Sequence, residues 1–130
     1  MKKAIVIDDS STVRSIISKM LTAMGIQSVQ AADGKQALTV LSQNEDVSIA
    51  FVDWNMPVMN GIDFVQEVRK QAVYNKIKIL MVTTETEMSQ VVIAIESGVD
   101  EYIMKPFTKE IFLEKLSMLG ILDETGRIQE

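Results

Sequence analysis

Five residues of this chain fall where apolar runs stop. Asp8 and Asp9 follow the run AIVI, Asp53 follows SIAFV, Thr83 follows KILMV, and Lys105 follows EYIM. Carboxylates, a hydroxyl and an ammonium at such points are the groups that phosphoryl chemistry uses. Three carboxylates drawn together raise one another's pKa values unless a cation joins them. Oxygen ligands without imidazole or thiolate suit Mg²⁺, which keeps several waters and bridges to phosphate. Lys105 can offset further negative charge, and Thr83 can donate a hydrogen bond to it. Each residue also has a plainer use. Asp53 can initiate a turn or cap a helix, Asp8 and Asp9 can complement a helix dipole, and Thr83 can be a cap. Tyr102 can be a half-buried strand aromatic, and Lys105 with Pro106 can be a turn. Only the joint pattern carries the chemical reading.

That reading requires elements that bring the run ends to one place. Ala4 to Ile7 predicts a strand, and Val13, Ile16, Ile17, Met20, Leu21 and Met24 then recur at helical spacing until Gly25. Ile26 to Gln30 predicts a second strand, and Asp33 is placed to cap a helix carrying Ala37, Leu38 and Leu41. Val47 to Val52 predicts the third strand, which ends at Asp53 in the stretch FVDWNMPVMNG. A helix from about Asn60-Gly61 is expected to bury Ile62, Val65 and Val68, with Phe64 beside them. Lys78 to Val82 predicts the fourth strand, Met88, Val92 and Ile95 mark its helix, and Gly98 ends it. Glu101 to Met104 predicts a short fifth strand, and Thr108 is placed to cap a helix presenting Phe112, Leu116 and Leu119. Strict alternation demands right-handed crossovers and a mainly parallel sheet with helices on both faces. In such sheets ligands bind outside the carboxyl ends of the strands, beside the point where the strand order reverses.

Composition narrows the function further. A chain of 130 residues, 47 % hydrophobic, fits one domain able to bury a core without staples. It has no cysteine and no histidine, which excludes disulfides, thiolate or imidazole catalysis, and Cys-ligated metals. Thirteen basic against eighteen acidic residues leave −5, which argues against nonspecific binding of nucleic acid or an anionic membrane. No apolar run approaches a bilayer-spanning length, and MKKAIVIDDS lacks a cleavage site and turns acidic too early for a signal peptide. A soluble, cytoplasmic protein is expected, with monomer as the default.

The residues Asp8-Asp9, Asp53-Trp54-Asn55-Met56-Pro57 with Asn60-Gly61, Thr83, Tyr102 and Lys105-Pro106-Phe107 resemble, in order and spacing, the receiver domain of two-component response regulators. Within that family they look particularly like the single-domain, CheY-like chemotaxis regulators. The resemblance runs from about Lys3 to about Leu119. It implies a doubly wound α/β fold of the flavodoxin-like (βα)5 type, with a five-stranded parallel sheet of order 2-1-3-4-5. It implies that residues 1–120 form the receiver and 121–130 a short tail with no output domain, with Ile121 and Leu122 the residues able to order it.

By the same resemblance Asp53 is the phosphoacceptor, taking its phosphoryl group from a phosphohistidine on a CheA-like histidine kinase. Asp9, Asp53 and the Asn55 backbone carbonyl would ligate Mg²⁺, with Asp8 acting through water. Thr83 and Tyr102 would form the switch, Lys105 would pair with the new charge, and the Lys105-Pro106 peptide is expected to be cis. Phosphorylation would bias a surface made of the fourth helix, fifth strand and fifth helix, to which a flagellar motor-switch protein or another target docks. A phosphatase is a further expected partner. The protein would be a phosphoacceptor rather than an enzyme acting on other substrates.

Asn55 and Glu85, two residues beyond Asp53 and Thr83, occupy positions that in this family border the hydrolytic water, so a short-lived phosphoryl state is expected. The nine methionines are read as core fillers, Met88 excepted as a residue near the output face. Three other readings stay open at this stage. One is a phosphorelay intermediate or phosphate sink. Another is a Mg²⁺-dependent aspartyl phosphatase, for which Trp54-Asn55 supplies no second acid. The last is a receiver that works without phosphorylation.

Overall fold

A computed structural model describes residues 2–123 and 126–129. The elements are β1 (Lys3–Ile7), α1 (Ser11–Ala23), β2 (Gln27–Ala31), α2 (Gly34–Ser42), β3 (Val47–Val52), α3 (Gly61–Arg69), β4 (Lys78–Thr83), α4 (Met88–Ser97), β5 (Glu101–Met104) and α5 (Lys109–Met118). A single 3-10 turn, Ala72–Tyr74, that periodicity does not reveal precedes β4. All strand pairs are parallel, in the order β2-β1-β3-β4-β5.

Local chemistry explains the helix starts. Ser10, Asp33, Asn60 and Thr108 each accept a hydrogen bond from a backbone N–H in the first turn of α1, α2, α3 and α5. Helix α4 has Glu87 at its N-cap position, with no side-chain cap bond, and Gly98 at its C-cap, whose φ of 111° is the left-handed conformation that glycine adopts at low cost.

The sheet is buried on both faces, which is why its strands read as unbroken apolar runs. On one face Ile5, Ile7, Ala50, Val52, Ile79 and Met81 meet α2, α3 and α4. On the other, Ala4, Val6, Ile49, Phe51, Leu80 and Val82 meet α1 and α5, with Phe51 and Phe112 stacked at 5.3 Å between centroids. Each fully buried Ile, Leu or Phe contributes about 2 kcal/mol relative to exposure.

Several expectations change. Helix α4 buries Ala94 and half-buries Val91, while Val92 and Ile95 are exposed; Met88 is exposed too, as expected of the methionine set apart from the core. A 3.6-residue stripe is seen, but it is not the face turned to the core. Ile16 of α1 is likewise exposed. Among the methionines Met81 is core, yet Met104 and Met118 join Met88 on the surface, and Met1 lies outside the described residues. Beyond Gly120 the chain turns back. Ile121 and Leu122 are buried, Leu122 bridges Ile128 antiparallel, and Ile128 packs on the α1–α5 core. Glu124, Thr125 and Glu130 of the tail lie outside the described residues.

Candidate functional site

Sheet register puts the site together. Pairing continues one residue past the strands: Asp53 N–H donates to Ile7 O at 2.9 Å, Asp8 N–H to Ala31 O at 3.1 Å, and Lys105 N–H to Thr83 O at 2.9 Å. The carboxyl ends of β1, β3, β4 and β5 are thereby levelled, and the residues that follow them share one crevice. Asp8, Asp9 and Asp53 each present a carboxylate oxygen, all within 4.8 Å of one another. Asp8 and Asp53 are buried and Asp9 is exposed.

Lys105 enters from β5. Its Nζ lies 2.7 Å from Asp8 Oδ2 and 3.4 Å from Asp53 Oδ2. One ammonium thus joins the two buried carboxylates. Burial pushes the Asp53 carboxyl above its usual range; Lys105 pulls it down, Asp8 pushes it up, and hydrogen bonds from Thr83 and the Trp54 N–H lower it. Desolvation prevails. Such a carboxylate is held ready for a cation, and the donors are hard oxygens without nitrogen or sulfur, so the set fits Mg²⁺.

The loop after β3 is built closely around Asp53. Gly61 N–H donates to Trp54 O at 2.9 Å, and a Cβ at Gly61 would overlap the Asp53 carbonyl oxygen, so only glycine lets α3 start there. Trp54 N–H donates to Asp53 Oδ1 at 2.8 Å and fixes the carboxylate's rotation. Ser10 N–H does the same for Asp8 Oδ1 at 2.9 Å.

Across the crevice Thr83 is fully buried and accepts from Glu85 N–H at 3.3 Å. Tyr102 is buried as well, and its hydroxyl donates to the Glu85 backbone carbonyl at 2.7 Å. Asn55 Nδ2 donates to Glu85 Oε1 at 2.6 Å, so a bond spans the rim between the β3 and β4 loops. The Lys105-Pro106 peptide is cis, as expected.

The structure therefore gathers Asp8, Asp9, Asp53, Thr83 and Lys105, and sets Asn55, Glu85 and Tyr102 on one side of them. Two contributions escaped the sequence reading. Lys105 bonds Asp8 more closely than Asp53. Arg14, on α1, donates to the Asp8 backbone carbonyl and to Gln30 Oε1, bracing the first loop. No spacing rule signals a side chain whose partner is a main-chain oxygen.

Comparison with known proteins agrees with this geometry. The sequence model of the response regulator receiver domain matches residues 4–117. The chain is 46 % identical over 115 residues to a chemotaxis protein CheY homolog of Campylobacter jejuni, covering 88 % of each. It is 42 % identical over 118 residues to chemotaxis protein CheY1 of Helicobacter pylori, covering 90 % of this chain and 95 % of that one. Among solved structures, Vibrio cholerae chemotaxis protein CheY4 superposes with a TM-score of 0.84 at 36 % identity, covering 91 % of this chain and 98 % of the other.

Proposed function

The chain belongs to the response regulator receiver family, and on that premise we propose that it is a CheY-like chemotaxis switch phosphorylated on Asp53 by a partner histidine kinase. The observation that carries this reading is the buried Asp53 carboxylate held beside Asp8, Asp9 and Lys105.

In the proposed reaction an Asp53 carboxylate oxygen attacks the phosphorus of a phosphohistidine. A P–O bond forms as the P–N bond breaks, and the imidazole leaves with the electron pair. Asp8, Asp9 and Asp53, with the Asn55 carbonyl, would hold Mg²⁺, which when bound supplies positive charge to the transferring phosphoryl group. Trp54 N–H orients the nucleophile, and Lys105 offers the compensating charge. Thr83, already beside Asp53, takes a phosphoryl oxygen. That moves the loop carrying Glu85, whose carbonyl holds the Tyr102 hydroxyl. Phosphate is thus coupled to β5 and to α4. Asn55 and Glu85 border the approach of water and favour rapid loss of phosphate.

The output would be docking on α4, β5 and α5. Exposure of Met88, Val92 and Ile95 on α4 supports this, because a monomeric protein rarely leaves such a stripe open without use. The target would be a flagellar motor-switch protein, with residues 1–120 acting as the switching unit in the cytoplasm.

Trp54 fluorescence gives the test. Mg²⁺ followed by a small-molecule phosphodonor should change the emission of wild type, reversibly as donor is exhausted, and should leave Asp53→Asn unchanged. Intact mass should show one phosphoryl adduct on wild type only. An unmodified wild type under these conditions would sink the proposal.

A further inference from the structure

The three carboxylates that converge in the crevice are not held alike. Asp53 Oδ1 accepts from Trp54 N–H at 2.8 Å and Asp8 Oδ1 from Ser10 N–H at 2.9 Å, so main-chain donors fix both rotations. Lys105 holds Asp8 further. Asp9 is exposed, and among the described residues its side chain has neither a hydrogen bond nor an ion pair. A carboxylate on an unrestrained stretch of loop loses conformational freedom when it closes on a cation, and that loss weakens binding. Yet Asp9 already offers an oxygen within 4.8 Å of those of Asp8 and Asp53.

The main chain explains this placement. Pairing with β2 continues as far as Asp8 N–H, which donates to Ala31 O at 3.1 Å, and Ser10 caps α1. Between these anchors lies the planar peptide unit joining Asp8 to Asp9, whose rotation swings the Asp9 side chain. Arg14 Nη1 donates to the oxygen of that unit, Asp8 O. The guanidinium is itself held on a second edge. Arg14 Nε donates to Gln30 Oε1 at 3.0 Å, and Gln30 Nε2 donates to Ser18 Oγ at 3.2 Å. A planar fork bonded on two edges to oxygens of separate elements is fixed in one orientation. Arg14 has no ion pair among the described residues, so charge pairing does not account for where it sits.

We propose that Arg14 is a positioning residue for Asp9. Through the Asp8 carbonyl it fixes the peptide that presents the Asp9 carboxylate to a divalent cation, and Gln30, braced by Ser18, sets the guanidinium. The inference rests on the Mg²⁺ reading given above and names the residues that tune that site. Charge alone predicts the opposite sign. Arg14 is a cation beside a cation site, so removing it would relieve repulsion and tighten Mg²⁺ binding. Loss of a positioning bond weakens it.

The test is a Mg²⁺ titration of the full chain, followed by Trp54 fluorescence without phosphodonor. Arg14→Met, which keeps a good helix former on α1, should raise the Mg²⁺ Kd about tenfold, as loss of a group that orients a metal ligand does. Gln30→Ala leaves the charge in place and frees the guanidinium, and should raise the Kd by a smaller factor. In an Asp9→Asn background Arg14→Met should have almost no further effect, because the carboxylate it positions is gone. Unchanged or tighter Mg²⁺ binding in Arg14→Met, or an undiminished effect in the Asp9→Asn background, would overturn the inference alone. A wild type with no Mg²⁺ response would overturn it together with the Mg²⁺ reading, while intact mass after addition of phosphodonor judges acceptance by Asp53 separately.

Discussion

Lys105 carries the electrostatics of the site in the absence of a metal. It is the cation between Asp8 and Asp53, and the Lys105–Asp8 pair is largely buried. Removing one partner of a buried pair leaves an uncompensated charge, at a cost of about 3 kcal/mol. Lys105→Met should therefore lower stability by about that amount in denaturant melts without divalent cation, and added Mg²⁺ should restore part of it. Tyr102 poses a second question at this scale. Burial, then the charges of Glu85 and Asp53, push its phenol up to about 12. The folded state thus holds the proton more tightly than the unfolded chain, whose tyrosine titrates near 10. The stability this provides is intact below about pH 10 and is lost as pH rises toward 12. Urea melts on either side of that range should show a steeper alkaline loss for wild type than for Tyr102→Phe. Equal losses would mean that Tyr102 ionises freely.

At the scale of elements, the loop from β3 to α3 combines close approach with strain. Gly61 sits against the Asp53 carbonyl, and Gly34 N–H is tied to Met59 O at 3.0 Å. Between those anchors Val58 adopts φ 69°, left-handed and unfavourable for a β-branched residue, with 78 % of its surface exposed. Because Val58 makes little buried contact, Val58→Asn should relieve the strain and stabilise the protein by about 1 kcal/mol, read as a rise in melting temperature. A fall would mean that the valine is bonded to the loop in some other way. Helix α4 is anchored unequally. Its C-terminal end is held where Arg69 donates to Gly98 O at 3.0 Å and pairs with Asp100 at 3.0 Å. Its N-terminal end, nearest Glu85 and Tyr102, has no side-chain cap. A switch acting through Tyr102 would meet the less restrained end.

For the molecule as a whole, the chain beyond Gly120 completes the core on the α1–α5 face. Ile121 and Leu122 are buried there, and Gln129 N–H returns to Ile121 O at 2.7 Å. Leu122→Ala should cost about 3 kcal/mol by denaturant titration, the usual range for a buried leucine. The family match ends at residue 117, so this contribution lies outside it. The phosphoryl site and this closing segment stand at opposite ends of the sheet. The tail segment docks near Gly25, where Ile128 Cδ1 comes within 3.6 Å of the position of a Cβ, whereas Asp53 tops the strands. Loss of stability from the tail should accordingly leave phosphoryl acceptance by the folded protein intact.

The α/β alternation, the strand ends and the residues placed on them were determined by local sequence. Apolar runs end where backbone must leave the sheet, and Asp8, Asp53, Thr83 and Lys105 stand at those points. Capping residues such as Asp33 and Thr108 act within one turn and are legible for the same reason. Periodicity shows that a helix has an apolar stripe, but which stripe the core takes depends on neighbours distant in the chain. Val92 and Ile95 thus read as ordinary helical hydrophobics and emerged on the surface. The pairing of Lys105 with Asp8, the bond between Asn55 and Glu85, and the bridge from Leu122 to Ile128 were decided only by tertiary structure. Each depends on how far apart separate segments come to rest, a distance set by sheet register and packing rather than by any local pattern.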